Sequence, residues 1–397
     1  RICMSTYSRK HFPEFSLSRL MSTTFGEGQG DGDRLCIIID LPEIDLIRGF
    51  GFLEKDDFQV QRYAHEVFLK GFEQGVLSEL NYRDNAFFAI KTTGGSNLDP
   101  DDEVMAPNGE VFSLENDICS NYDLVLAITD YSLTAPLTAL AKKHGFRGAT
   151  LHGVNEIILA TGLSVDYREV SRQAEKYRQA LTRADAFEID FTACGELFTI
   201  RIECNGQEAQ KSHGLCPRGK PDVANLPAGE VYFVPEGAEG AFPFRFPDGT
   251  LARLNVREGS VREAVFLSGD AGLVDARNRK LQEDPATGIL GELGFGTQDL
   301  PFSGRDIQDE KVLGTCHLAT GRSDHLGGHL TPDLFATRSN ASHDDILFAP
   351  QKTPEINLEE VRMFRDGKSK VVLADYAPAP YLQEALGIHE NVVAVSG

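Results

Sequence analysis

The chain has no tryptophan among its 397 residues, and no window of it carries the roughly 18 apolar residues that a membrane span requires. Its seven cysteines are scattered without a CxxC pair, so neither a disulfide framework nor a thiolate zinc site is indicated. Reduced thiols in a cytoplasmic compartment follow, with Cys316 read as a small buried filler and not a reactive thiol. Basic charge is also scarce. A formal charge of −21 argues against nucleic acid or an anionic membrane as partner, because both call for a basic surface.

What is present is the composition of a globular protein long enough for two domains. Residues 1–24 stand apart: Arg1, Arg9, Lys10 and Arg19 face one acid, Glu14, among five serines. Such a stretch is similar to a targeting leader. The first residue is not Met and Met21 offers another start, so the reading is an unstructured or mis-set extension through residue 34. The glycines at 26, 28, 30 and 32 precede a strand. A dinucleotide fingerprint needs the opposite order, which makes them a linker.

From 35 to 160, strand-like and helix-like segments alternate. Cys36–Asp40, Ala86–Ile90, Asp123–Thr129 and Arg147–Leu151 read as strands, with helices over Phe58–Val76 and from a Ser132 cap to Lys143, closed by Gly145. The expectation is an α/β N-terminal domain with a parallel sheet. From 161 to 397 the texture becomes sheet-rich, an α+β metal-binding domain. One amphipathic helix over Asp166–Arg183 is followed by strand patterns (FEIDF, LFTIRIE, EVYFVP) and a hairpin turning at Asp366-Gly367. Helical signal returns at Asp270–Leu281 and around Leu358–Val361.

The chemistry is concentrated between Gly291 and Asp345. Four of the ten histidines (His317, His325, His329, His343) fall there with Glu292, Asp309, Glu310, Asp324, Asp344 and Asp345. Imidazole with carboxylate is the ligand set for a divalent zinc, iron, cobalt or manganese ion. In SHDDILF, a strand would turn His343 and Asp345 to one face and Asp344 to the other. A solvated strand end is the plainer alternative. His317, between Cys316 and Leu318, would point away from both, as a ligand or as a satisfied core histidine. Glu292 lies among glycines 288, 291, 294 and 296, where a lone carboxylate is poorly solvated unless it meets a cation. Glu230 opens a strand and by itself passes for an edge residue. His325 and His329 are separated by Gly327-Gly328, which favours a loop over a helix. Asp309-Glu310-Lys311 is either an exposed charge run or a place where Lys311 orients an acid behind the site.

Taken together, NLPAGEV, GELGFGT, DEKVLGTCHLATG, the Gly-Gly pair and SHDD resemble the aminopeptidase T-type metallo-aminopeptidases and their relatives, the 2,5-dihydroxypyridine dioxygenases. YSLTAPLTALAKKHGFRGATLHGV looks like that family's SLT segment, and the resemblance covers about residues 35 to 395. It implies a homodimer and a metal site of Glu230, Glu292, His317, His343 and Asp345. In the peptidases these residues would hold two ions of zinc, cobalt or manganese, with one of the glutamates as general base. Asp324 stands where the peptidases place a tyrosine that stabilises the tetrahedral intermediate, a departure that weakens the peptidase expectation. Arg322, Asp324 and His325 would shape the substrate loop, Arg322 as a candidate anchor for a substrate carboxylate.

Three functions follow. The leading one is a metal-dependent hydrolase cleaving an N-terminal peptide or related amide. The second is a non-heme Fe(II) dioxygenase, with His317, His343 and Asp345 as its triad, acting on a small (hetero)aromatic or amino-acid-derived substrate. The third is a non-catalytic binding protein that keeps the fold.

Overall fold

The computed structural model describes residues 10–388, and the expectations for residues 1–9 lie outside them. The apolar run at Cys36–Asp40 becomes the middle of strand β1 (Asp33–Leu41), buried along almost all its length, as a central parallel strand should be. It joins β2 (Tyr82–Lys91), β3 (Glu103–Met105), β4 (Val111–Ser113), β5 (Leu124–Ala127), β6 (Arg147–Thr150) and β10 (Asp222–Asn225) in one sheet. The order is β10-β6-β5-β1-β2-β3-β4, parallel from β10 to β2 and antiparallel beyond.

The remaining strands form two antiparallel sheets. One orders β17 (His343–Phe348), β16 (Cys316–Gly321), β15 (Leu290–Gly296), β11 (Glu230–Phe233) and β9 (Gln210–Ser212). The other runs β14 (Ser260–Ser268), β13 (Leu251–Arg257), β12 (Gly237–Arg245), β8 (Glu196–Glu203), β7 (Ala186–Ala193), β18 (Asn357–Arg365), β19 (Lys368–Ala374) and β20 (Ala377–Pro378). Their apolar faces meet in a shared core, where Phe187 contacts Phe233 and Phe295 while Phe348 contacts Phe191 and Phe242. The protein is therefore of mixed α/β type with several sheets. Among the described residues no helix is long and apolar enough to cross a membrane.

Several expectations change in detail. The helix over Thr134–His144 ends on left-handed Gly145, but Ser132 does not cap it alone: Asn97, from a distant loop, accepts from the amide of Ala135 at 2.8 Å. The expected unstructured extension gives way over Leu17–Phe25 to a helix capped by Ser16, with Leu17, Leu20, Met21, Thr24 and Phe25 buried along one stripe. The segment around Leu358–Val361 is strand, not helix. A bulge between Leu358 and Glu360 puts core-facing residues three apart, which imitates a helical period. Strand β10 lies beyond the expected boundary at 160 yet pairs with β6, so the later half of the chain completes the first sheet.

Candidate metal centre

Strand alternation builds this site. Along β11, β15, β16 and β17, Val231, Phe233, Leu293, Phe295, Cys316, Leu318, Ile346 and Phe348 enter the core, where burial pushes the Cys316 thiol up to about 12. The intervening positions carry Glu230, Tyr232, Glu292, Gly294, His317, Ala319, His343 and Asp345 to the opposite face. Register then sets the neighbours. Tyr232 pairs with Gly294 and Gly294 with His317; Glu292 pairs with Ala319 and Ala319 with Asp345. A small residue thus sits at the centre of each row, leaving room above it for the large side chains. A Cβ on Gly294 would come within 2.1 Å of His317 Nε2, so the imidazole occupies the space a side chain would fill.

The Glu292 carboxylate lies between the two histidines. His317 Nε2 is 3.4 Å from its Oε1 and 3.3 Å from Glu230 Oε2. His343 Nε2 is 3.0 Å from Oε2 and 3.2 Å from Asp345 Oδ1. His343 Nδ1 donates to the Arg322 carbonyl at 2.6 Å, which directs Nε2 at the acids, the arrangement a metal-binding imidazole needs. Burial opposes the charge on both rings, but the carboxylates of Glu230 and Glu292 at His317, and of Asp345 and Glu292 at His343, raise their pKa values well above normal. Burial would lift the Glu292 carboxyl, yet hydrogen bonds from the two imidazoles hold it below the ordinary range.

Glu310 and Lys311 are buried behind this face, so the charge run is not exposed. The Lys311 ammonium binds Glu310 and the Ile307 carbonyl and stands 3.9 Å from Glu230. Burial, together with the nearby Asp345 and Glu230 carboxylates, lifts Glu310 to about 8 despite Lys311. Asp309 instead accepts hydrogen bonds from the Ser303 and Gly304 amides.

The expected substrate loop divides. His325, on a short turn over Asp324–Leu326, presents its ring at right angles to His343 with centroids 4.8 Å apart, and it lines the cavity. His329 is exposed and lies off the site. Arg322 is buried, donating to Asp324 at 2.7 Å, to Asp99 at 2.8 Å and to the Asn97 carbonyl. Neither Arg322 nor Asp324 lines the cavity, so a substrate carboxylate meets no free guanidinium there. Their ion pair ties the 322–324 turn to the 97–99 loop.

The cavity has a volume of about 150 Å³ and is walled by residues that sequence reasoning did not assign to the site, among them Asn97, His152, Asn225 and Tyr232. Burial holds His152 neutral, down to about 4, and its Nδ1 has no hydrogen-bond partner. Tyr232 was within reach of the pattern, two residues after Glu230 on a strand; His152, at the end of β6, carried no such signal.

Among the described residues, three sets of side chains bring ligand atoms within 4.8 Å of one another: Glu230, Glu292 and His317; Glu292, His343 and Asp345; and Glu310, His317 and Asp345. The expected triad of His317, His343 and Asp345 is not among them, because Glu292 separates the two imidazoles. The buried His317 Nδ1 has no hydrogen-bond partner, and the contact made by Asp345 Oδ1 is its ion pair with His343. A buried, carboxylate-rich face with two imidazoles, one of them with an unpaired ring nitrogen, fits a divalent cation.

Comparison with known proteins adds the fold. No known family profile and no curated protein matches the chain. Among solved structures it resembles a 2,5-dihydroxypyridine dioxygenase from Pseudomonas putida KT2440, with a TM-score of 0.56 and 13% identity over 88% of this chain and 92% of that one. The aminopeptidase expectation gains no support from these comparisons. This chain shares its fold with the dioxygenase.

Proposed function

We propose that this protein is a non-heme iron oxygenase acting on a small hydroxylated (hetero)aromatic compound, with Glu292, His343 and Asp345 holding one Fe(II). The observation that carries this reading is Lys311. Its ammonium already stands by Glu230 and Glu310, so one end of the acidic face is balanced by the protein itself. The set that still calls for a cation is Glu292, His343 and Asp345, one imidazole and two carboxylates beside an open cavity. The fold shared with a dioxygenase agrees with it.

Iron bound there supplies the one-electron chemistry that dioxygen requires. The chain's own residues do the remaining work. The Arg322 carbonyl fixes the His343 ring, and Glu292 is steadied from its other side by His317. His325, whose pKa is driven well below normal by burial and by His343, offers a neutral ring to whatever fills the cavity. In this reading the catalytic face and the parallel sheet belong to two domains that close one cavity, and the partner is a small molecule.

A second reading rests on the set of Glu230, Glu292 and His317. It shares Glu292 with the first, as a bridging carboxylate would in a two-metal hydrolase. Metal analysis with an oxygen electrode separates the two. One iron per chain with oxygen uptake on 2,5-dihydroxypyridine or a related ring supports the oxygenase. Two equivalents of zinc, cobalt or manganese with turnover of aminoacyl amides would replace it with the hydrolase.

A further inference from the structure

Tyr232 shares β11 with Glu230 and points to the same face, in register with Gly294 and, beyond it, His317. It lines the cavity together with Glu292, His343 and Asp345. Its ring is half-buried, and its hydroxyl lies in the electrostatic field of Glu292 and Glu230. Among the described residues no group accepts a hydrogen bond from it. A hydroxyl that faces a cavity and is not committed to a protein partner is free to bond whatever enters it. A phenol carries its proton at neutral pH and is both donor and acceptor, whereas the acids around it only accept.

We propose that the Tyr232 hydroxyl is a substrate-binding donor, and that it selects ligands presenting an oxygen acceptor next to the atoms that face Glu292, His343 and Asp345. The inference rests on the metal reading above and narrows it. The substrate is an oxygen-rich ring, of catechol or hydroxypyridine type, and not a plain hydrocarbon or an alkylamine. Gly294, in register between Tyr232 and His317, contributes by omission, since any side chain there would collide with the His317 ring.

The test uses the full chain loaded with iron and titrated with 4-nitrocatechol, followed by its absorbance. Tyr232→Phe removes the hydroxyl and keeps the ring; Tyr232→Met is a second hydroxyl-free variant in case the first folds poorly. Iron content and melting temperature should match the wild type, because the phenol is not a ligand to the metal. The dissociation constant for 4-nitrocatechol should rise about ten-fold, the worth of one hydrogen bond in a cavity. Unchanged affinity in either folded, iron-loaded variant overturns the donor role alone, as does failure of the iron-loaded wild type to bind the probe. A wild-type chain that takes up no iron removes the metal reading, and this role with it, and iron analysis shows that before any probe is added.

Discussion

Two faces of this molecule carry strand-borne charge and treat it in opposite ways. On the eight-stranded sheet, Arg362 binds Glu188, Asp190 and Glu360, while Arg201 binds Glu188 and Glu203. Every acid in that ladder meets a guanidinium from its own or a neighbouring strand, the cross-strand arrangement that stabilises sheets. On the five-stranded sheet, Glu230, Glu292 and Asp345 face two imidazoles, and the turn after Asp306–Asp309 adds the Glu310 carboxyl and the Lys311 ammonium. The same period-two alternation produces both. The ladder sets two guanidiniums against four acids and leaves the surplus charge to solvent; the other face is buried, and its surplus charge has no solvent to meet. Buried acids tolerate that surplus only by holding protons or meeting a cation.

Breaking the shared carboxylate should have the largest effect. Glu292→Gln removes the group that both histidines approach, so bound metal should be lost. The fall in affinity should exceed the roughly ten- to hundred-fold typical of residues behind a metal. Plasma emission analysis of the purified variant checks it, and full metal retention would sink the proposed ligand set.

Acidity should separate the two faces next. His317 and His343 have raised pKa values in the fold, so their contribution to stability is full below the unfolded value of 6.5 and is lost as pH rises through their folded values. Glu310, lifted from 4.5 to about 8, has the same sign, losing stability between those values as pH rises. Glu292 and Asp345, whose pKa values are lowered, act in the opposite sense, but only as pH falls below the ordinary carboxylate range. Metal-free protein should therefore melt lower at pH 9 than at pH 6. Added metal should flatten the profile, because the cation takes the place of the protons. A metal-free melting temperature that climbs over that interval contradicts the description of the buried face.

Gly294→Ala sharpens the contrast by geometry alone. The new Cβ must displace the His317 ring, at a cost of about 1–3 kcal/mol, and should weaken metal binding along with stability. Denaturant melts with and without metal would show both effects. The smallest change is expected from Arg362→Met in the ladder. About 1 kcal/mol or less should be lost, as for other solvated ion pairs, with metal content untouched.

Much of this contrast could be read in the chain. SHDD and GELGFG alternate, and that alternation sends His343, Asp345 and Glu292 to one face without further information. The order of the strands could not be read, because β11 and β17 are over a hundred residues apart and only pairing through β15 and β16 brings them together. Lys311 and Arg322 were harder still. A sequence shows that a cation is present but not that it is buried, and both turned out to be bound by acids of the protein itself. The Leu17–Phe25 helix was hidden by the composition of its surroundings, although its apolar spacing was in plain view.

Strand β10 has a mechanical consequence. The backbone leaves the edge of the parallel sheet at Asn225 and, a few residues later, starts β11 at Glu230, so one short connection spans the two sheets that wall the cavity. Swinging those walls apart would mean unzipping β10 from β6. The turn bearing His325 and the loop bearing Asn97, which also line the cavity, are tied to each other by Arg322, so this part of the wall is held by one guanidinium as the rest is held by strand pairing.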